Sequence, residues 1–316
     1  IRRQRQMCIR DRDTLCVGCH GYESTPAGGP RAGRLVLTGD HGPMFSHSYY
    51  MMTIARLFSD GRNQAKSNYA PRTLGSSVSP LLKLVDGSHY DVKATAAQRK
   101  ILRLWIDSGA AYPGTYAALG TGMIGGYAEN KPTATDQDWP ATQAAAAVIQ
   151  RRCASCHAEP SRLLPRSLSD ERGLSFWRPD PNDPRLNTSR HIVFNLSRPG
   201  KSIFLLAPLA EAAGGWGLCR QTPAGPAPDV FAATADPDYQ ALLSFITAGQ
   251  RRLAEIKRFD MAGFQPRSDW VREMKRYGML PEGATPEDVT DAYAVEQDYW
   301  RSLWHQPEGA LVTGGR

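Results

Sequence analysis

Apolar residues recur at helical spacing in several stretches of the chain, and most of these stretches carry their own start and stop signals. Leu102, Trp105 and Ile106, and again Leu242, Phe245 and Ile246, stand at i, i+3 and i+4, the spacing of one helical face. Gly109 and Gly249 follow at the same offset, placed to end each helix in a left-handed conformation. Thr95 and Gln98 fit a capping box ahead of the first helix, and Asp236 with Pro237 fits an N-cap and first-turn proline ahead of the second. Residues 141–152 read as another helix, entered through Asp138 and Pro140, and residues 47–58 as one more. After Gly249 the helical pattern runs on through Arg251 to Arg258, and residues 259–266 follow as an extended strap. Trp270, Met274 and Tyr277 then mark one face of an amphipathic helix, and Thr285, Pro286 and Asp288 mark the start of a last one. The expected class is mainly α, with long irregular loops rich in Pro, Gly and Ser.

The two matched helices each close a longer unit of one layout. Cys16-Val17-Gly18-Cys19-His20 and Cys153-Ala154-Ser155-Cys156-His157 are both C-x-x-C-H, and the following aromatic, Trp105 or Phe245, lies 89 or 92 residues after the first Cys. This is the attachment pattern of c-type haem. Two thiols three positions apart can each add to one vinyl group of a porphyrin, which places the adjacent His under the ring as an axial ligand of iron. Cys16, Cys19, Cys153 and Cys156 are therefore candidate attachment residues for two covalently bound haems c, with His20 and His157 as candidate iron ligands. Such attachment takes place outside the cytoplasm, so a periplasmic or otherwise extracytoplasmic location is expected. A structural zinc site shared by both C-x-x-C pairs would have to span 137 residues, far more than a zinc ribbon does. A thioredoxin-like pair would need βαβ surroundings, whereas the flanks read as helices and loops.

Candidates for the opposite face of each iron can be counted. Residues 158–250 contain no Met and one His, His191, which is the ligand if the second iron is six-coordinate by His or Met from its own unit. Met261 and His305 are outside alternatives, and Cys219 reads as a buried structural thiol before it reads as a ligand. The first unit offers His41, His47, His89, Met44, Met51, Met52 and Met123. His89 is preferred because its loop immediately precedes the terminal helix of the unit. Met51 and Met52 read as core filler, and Tyr22 as a packing or hydrogen-bonding residue.

Length and charge narrow the picture. The 316 residues suffice for about two domains. The longest uncharged apolar stretch, residues 203–210, is far below the roughly 18 to 20 residues of a membrane-spanning helix, so no transmembrane anchor is expected. The net charge of +7 would suggest nucleic acid, but the first twelve residues hold five Arg and one Asp, and the remainder carries only +3. No nucleic-acid partner is expected. Residues 1–12, IRRQRQMCIRDR, resemble a stretch that recurs where adapter DNA has been translated, and they read as a leader outside the native fold. The first unit then starts almost on its motif, its leading helix lost.

Several segments together resemble planctomycete-type dihaem proteins related to the hydrazine synthase alpha subunit. They include Pro43-Met44-Phe45-Ser46-His47-Ser48-Tyr49, Trp105-Ile106-Asp107-Ser108-Gly109-Ala110, Asn195-Leu196-Ser197-Arg198-Pro199-Gly200-Lys201 and Lys257-Arg258-Phe259-Asp260-Met261. The resemblance covers most of residues 13–305 and implies an extracytoplasmic protein with two haems c, often preceded by a β-rich domain. In the synthase itself one alpha-subunit haem is bound through a Tyr close after the motif, while the motif His binds zinc. Here Ser24 stands four positions after His20, and Tyr22 only two, so that arrangement is not carried over. Only the Cys and His residues of the two motifs are.

These readings predict a tandem of two cytochrome c-like domains, 13–125 and 126–258, with a linker at 120–126 and a helical C-terminal strap at 259–316 that docks on the body or serves as a subunit contact. The expected activity is single-electron transfer between extracytoplasmic redox proteins. A haem oxidoreductase subunit of hydrazine-synthase-like type with one open-coordinate haem, expected to be the first, is the alternative, and a non-haem metal-binding or interaction module the third reading.

Overall fold

The computed structural model describes residues 15–23, 35–59, 68–118, 135–174, 180, 182–219, 221–222, 225–288 and 290–304. The leader at 1–12, the linker at 120–126 with Met123, and His305 lie outside the described residues.

Helices supply nearly all of the regular structure there: α1 (His47–Ile54), α2 (Pro80–Leu84), α3 (Ala96–Asp107), α4 (Pro140–Val148), α5 (Arg190–Val193), α6 (Ile203–Leu206), α7 (Pro237–Ile256), α8 (Ser268–Arg276) and α9 (Ala292–Ser302), with short 3-10 turns between them. The only strands among the described residues are two of two residues each, β1 (Gln221–Thr222) and β2 (Gly225–Pro226), paired antiparallel. The protein is mainly helical, and among the described residues no helix is long and apolar enough to cross a membrane.

Local signals place several ends as expected. Thr95 accepts from the Gln98 amide while the Gln98 side chain accepts from the Thr95 amide, a complete capping box on α3. Gly109 follows α3 at φ +92°. Pro140 opens α4, whose last turn widens over Ile149–Cys153 into i→i+5 bonding and so delivers the second motif.

Three expectations are corrected by packing. Gly249 does not end its helix: α7 runs on to Ile256, following the helical pattern read after Gly249 rather than the glycine stop signal. Its missing Cβ serves close approach instead: a Cβ there would lie 2.3 Å from Leu168 Cδ1 and 3.0 Å from Leu196 Cδ2. The Thr285 signal closes a turn, with the Thr285 amide donating to Asp288 Oδ2 at 2.7 Å, and the last helix starts at Ala292, capped by Asp291. Tyr277 stays 49% exposed just past α8, whose buried face is Trp270, Val271 and Met274.

By contacts the chain divides into two units. The larger takes in the described residues of 15–112 and 135–256 and so contains both C-x-x-C-H segments. Its core joins Phe194 to Phe204 and Phe245, with Leu196, Leu205, Leu242 and Ile246 fully buried. A second cluster sets Tyr50 and Met51 of α1 against Leu37, Leu186 and Ile192, with Cys16 packed on it, so Met51 is core. The smaller unit, 113–118 with 257–304, packs Trp270, Val271 and Met274 on Ala117 and Ala292. The buried Glu296 carboxylate ties it together, accepting from Trp270 Nε1 (2.9 Å), the Thr115 hydroxyl (2.8 Å) and the Tyr116 amide (2.9 Å).

Candidate functional site

Both C-x-x-C-H segments fold into the same turn. In the first, the amides of Cys19 and His20 donate to the Cys16 carbonyl at 3.2 and 2.8 Å; in the second, those of Cys156 and His157 donate to the Cys153 carbonyl at 3.1 and 3.0 Å. Residues at i, i+3 and i+4 of a helical turn share one face, so each motif presents two thiols and an imidazole on one side. All four cysteines are half-buried. Among the described residues no group of three or more His, Cys, Asp or Glu is placed to hold a metal ion by itself.

The turn around His20 has a partner. The His89 ring lies with its centre 6.2 Å from that of His20 and its plane 10° away. One metal ion bound by a nitrogen from each of two imidazoles, at about 2.0–2.1 Å per bond, would hold the ring centres roughly 6 to 6.5 Å apart. The spacing of the two ring centres therefore matches that of two imidazoles on one metal ion. His89 stands 69 residues beyond His20 in sequence and sits on a small, tightly bonded loop. Gly87 N donates to the Val92 carbonyl and Val92 N to the His89 carbonyl, both at 3.0 Å, while Ala94 N donates to the Val85 carbonyl at 2.9 Å. Tyr90 and Asp91 take left-handed backbone, at φ +47° and +60°. Strain of this kind in non-glycine residues persists only where the surroundings enforce it.

His157 is held differently. Its Nδ1–H donates to the Arg162 carbonyl at 2.6 Å, so Nε2 is the ring nitrogen left to bind a metal. Ion pairs of Arg151 with Asp238 (2.6 Å) and of Arg152 with Asp236 (3.4 Å) fasten the end of the preceding turn to the start of α7. Burial, then Cys219 and Cys156, push the Cys153 thiol up to about 11, and burial likewise raises Cys219, so both are protonated thiols at neutral pH in the haem-free chain.

His191 is not set against His157 as His89 is against His20. It is buried in α5, its ring 4.7 Å from Tyr50 and 5.4 Å from Phe45, with Nε2 3.7 Å from Glu171 Oε2. The Glu171 carboxylate also pairs with the fully buried Arg190. Burial alone would raise the Glu171 pKa, but His191 and Arg190 override it and bring it down to about 2.

Sequence reasoning missed a second polar assembly, beside the first motif. His47 Nε2 lies 2.9 Å from the Phe194 carbonyl, so it carries the proton, and Nδ1 accepts from the Tyr22 hydroxyl. Tyr22 is thus a hydrogen-bonding residue, as expected. Burial raises its pKa, and burial lowers that of His47, keeping both neutral. Nearby, Asp40 collects Arg198 (2.6 Å), Asn195 Nδ2 (2.9 Å) and the Thr38 hydroxyl (3.0 Å). The segments 36–50 and 194–202 are loops and short helices with no periodicity to pair them, and nothing in their residue types signals the pairing.

No family model matches this chain, and no curated protein or solved structure is significantly similar to it.

Proposed function

We propose that the protein is an extracytoplasmic dihaem c-type cytochrome that carries single electrons, built as two cytochrome c-like halves, 13–125 and 126–258, with 259–316 as a strap. The observation that carries this reading is the opposed pair of His20 and His89, 6.2 Å apart, beside two thiols on the same turn. When bound, the haem iron would supply a one-electron Fe(III)/Fe(II) couple, tuned by its ligands and burial. Cys16 and Cys19 would anchor one porphyrin edge, with His20 and His89 holding its iron from both sides. Cys153 and Cys156 would anchor the other, and the Arg162 carbonyl would fix His157 in the ligating tautomer. Redox proteins outside the cytoplasm are the partners this reading calls for.

The second reading, a haem oxidoreductase subunit with one open iron, is favoured by one specific feature: the buried ring of His191, the single His of residues 158–250, is engaged with Glu171 and Tyr50 and makes no ring contact with His157. On this reading the second half, where His191 is turned to Glu171 and Cys219 lies within electrostatic reach of Cys153 and Cys156, would hold the open or labile iron.

The test is to mature the chain in a host competent for c-type attachment and measure its mass and its reduced absorption spectrum. Two covalent haems per chain are expected, falling to one in Cys16→Ala/Cys19→Ala and in Cys153→Ala/Cys156→Ala. A haem-free product from a host that correctly matures a control cytochrome would sink the proposal.

A further inference from the structure

Of the side chains in residues 158–250, only those of His191 and Cys219 carry an imidazole, a thiol or a thioether. His191 is turned to Glu171 and Tyr50, which leaves Cys219 as the soft donor of that half. Its place in the chain matches that of His89. Each stands between a C-x-x-C-H motif and the long helix that follows it, His89 ahead of α3 and Cys219 ahead of α7.

The segment that carries Cys219 is tied to the second motif by a continuous set of contacts. The amides of Trp216, Gly217 and Leu218 donate to the carbonyls of Leu206 (2.7 Å), Leu209 (2.9 Å) and Ala207 (2.8 Å). Gly215 comes so close that a Cβ there would lie 2.2 Å from the Leu209 carbonyl oxygen. The same stretch bonds to Phe231, with Ala210 N donating to the Phe231 carbonyl at 2.9 Å and Phe231 N to the Pro208 carbonyl at 3.2 Å. Arg152, the residue before Cys153, lays its guanidinium over the Phe231 ring, 5.1 Å from its centre, and donates to the Val230 carbonyl. Cys219 accordingly lies within electrostatic reach of both Cys153 and Cys156. Its thiol is half-buried, whereas a sulfur that only fills the core is sealed from water.

We infer that Cys219 is the protein ligand of the second iron opposite His157, so that one iron is held between two imidazoles and the other between an imidazole and a thiolate. The inference rests on the reading of both C-x-x-C-H turns as haem attachment sites. As the sulfur binds, the thiol proton passes to water, because a coordinating thiol is held deprotonated, and no electron changes hands. Charge draws a thiolate to iron, so the bond weakens when Fe(III) takes up an electron, and the second iron is the labile one.

The experiment uses the full chain, matured with haem and oxidised. Electron paramagnetic resonance is expected to show two low-spin ferric signals of equal weight, one of the widely spread His/His kind and one of the compact kind that a thiolate gives. Near-infrared magnetic circular dichroism should show the matching sulfur-to-iron charge-transfer band. Cys219→Ser should lose the compact signal and turn one haem of the two high-spin, while His89→Ala should keep that signal and lose the other. A second measurement needs no variant. A small maleimide, its target read by peptide mass, is expected to spare Cys219 in the oxidised protein and to modify it once the iron is reduced and carbon monoxide bound. Two covalent haems per chain with no thiolate signal, a thiolate signal that survives in Cys219→Ser, or equal labelling of Cys219 in both states overturns the inference while the haem reading stands. A product without covalent haem overturns the haem reading, and the inference with it.

Discussion

The two C-x-x-C-H turns are nearly superimposable in their hydrogen bonding and differ in everything around them. Around His20 the fold brings a second imidazole into opposition, carried by a strained loop in front of α3. Around His157 it supplies a carbonyl that fixes the tautomer and a set of ion pairs that fasten the helix, while the nearest candidate ligand by sequence, His191, serves a buried cluster with Glu171 and Arg190. The difference teaches that the C-x-x-C-H turn is a local property of five residues, whereas what stands beside its His is decided by tertiary structure tens of residues away. On the proposed reading, one sequence motif would hold an iron faced by a second imidazole and an iron without one in the same chain.

The largest effect should come from breaking the opposition itself. In the haem-loaded protein, carbon monoxide is expected to shift the reduced Soret band of about half the haem, and in His89→Ala that of nearly all of it, because the first iron then loses one axial side chain. His191→Ala should leave the fraction at about half. A gas-insensitive wild type would mean that both irons are closed, and the contrast between the two regions would fall.

The second region's own support is polar. Glu171→Ala leaves the Arg190 guanidinium, fully shielded from water, without its carboxylate. Losing one partner of a buried pair costs about 3–5 kcal/mol, which urea unfolding would read directly. A loss below about 1 kcal/mol would show that water reaches Arg190 in solution. Packing gives the next effect. Gly249→Ala places a Cβ against Leu168 and Leu196, both buried and unable to swing away, at an expected cost of about 1–3 kcal/mol with no change at the first motif.

How much of this was legible in the sequence follows from the range of each interaction. The C-x-x-C-H turns, the Thr95 capping box, the left-handed Gly109 and the proline entries of α4 and α7 are local, and they were read from residues within five positions of each other. Gly249 shows where that reasoning stops, since the same residue after the same helical pattern is a terminator in one unit and a packing contact in the other. The deciding atom, Leu168 Cδ1, is 81 residues away. His89 was reachable from its place ahead of the last helix of the unit, but nothing in the sequence orients its ring. His191 was reached by elimination, which names the available side chains and says nothing of where the fold sends them. The Tyr22–His47 pair was invisible because it depends on a backbone carbonyl at Phe194, and carbonyls leave no trace in residue types.

That pair supplies the smallest effect and one confined to the first region. His47 is fully buried and neutral, donating to Phe194 and accepting from Tyr22, and burial holds its pKa below the ordinary 6.5. The unfolded chain therefore binds a proton at this position more readily than the folded one as the solution is acidified. The contribution to stability is complete above pH about 6.5 and is lost as the pH falls through that value toward the folded pKa, with a slope of at most about 1.4 kcal/mol per pH unit. His47→Gln, which keeps a hydrogen-bonding side chain but cannot take up a proton, should flatten the dependence of unfolding free energy between pH 7 and 5. If the variant keeps the full slope, the titrating group lies elsewhere, and the neutral Tyr22–His47 pair is not what distinguishes the surroundings of the first motif on acidification.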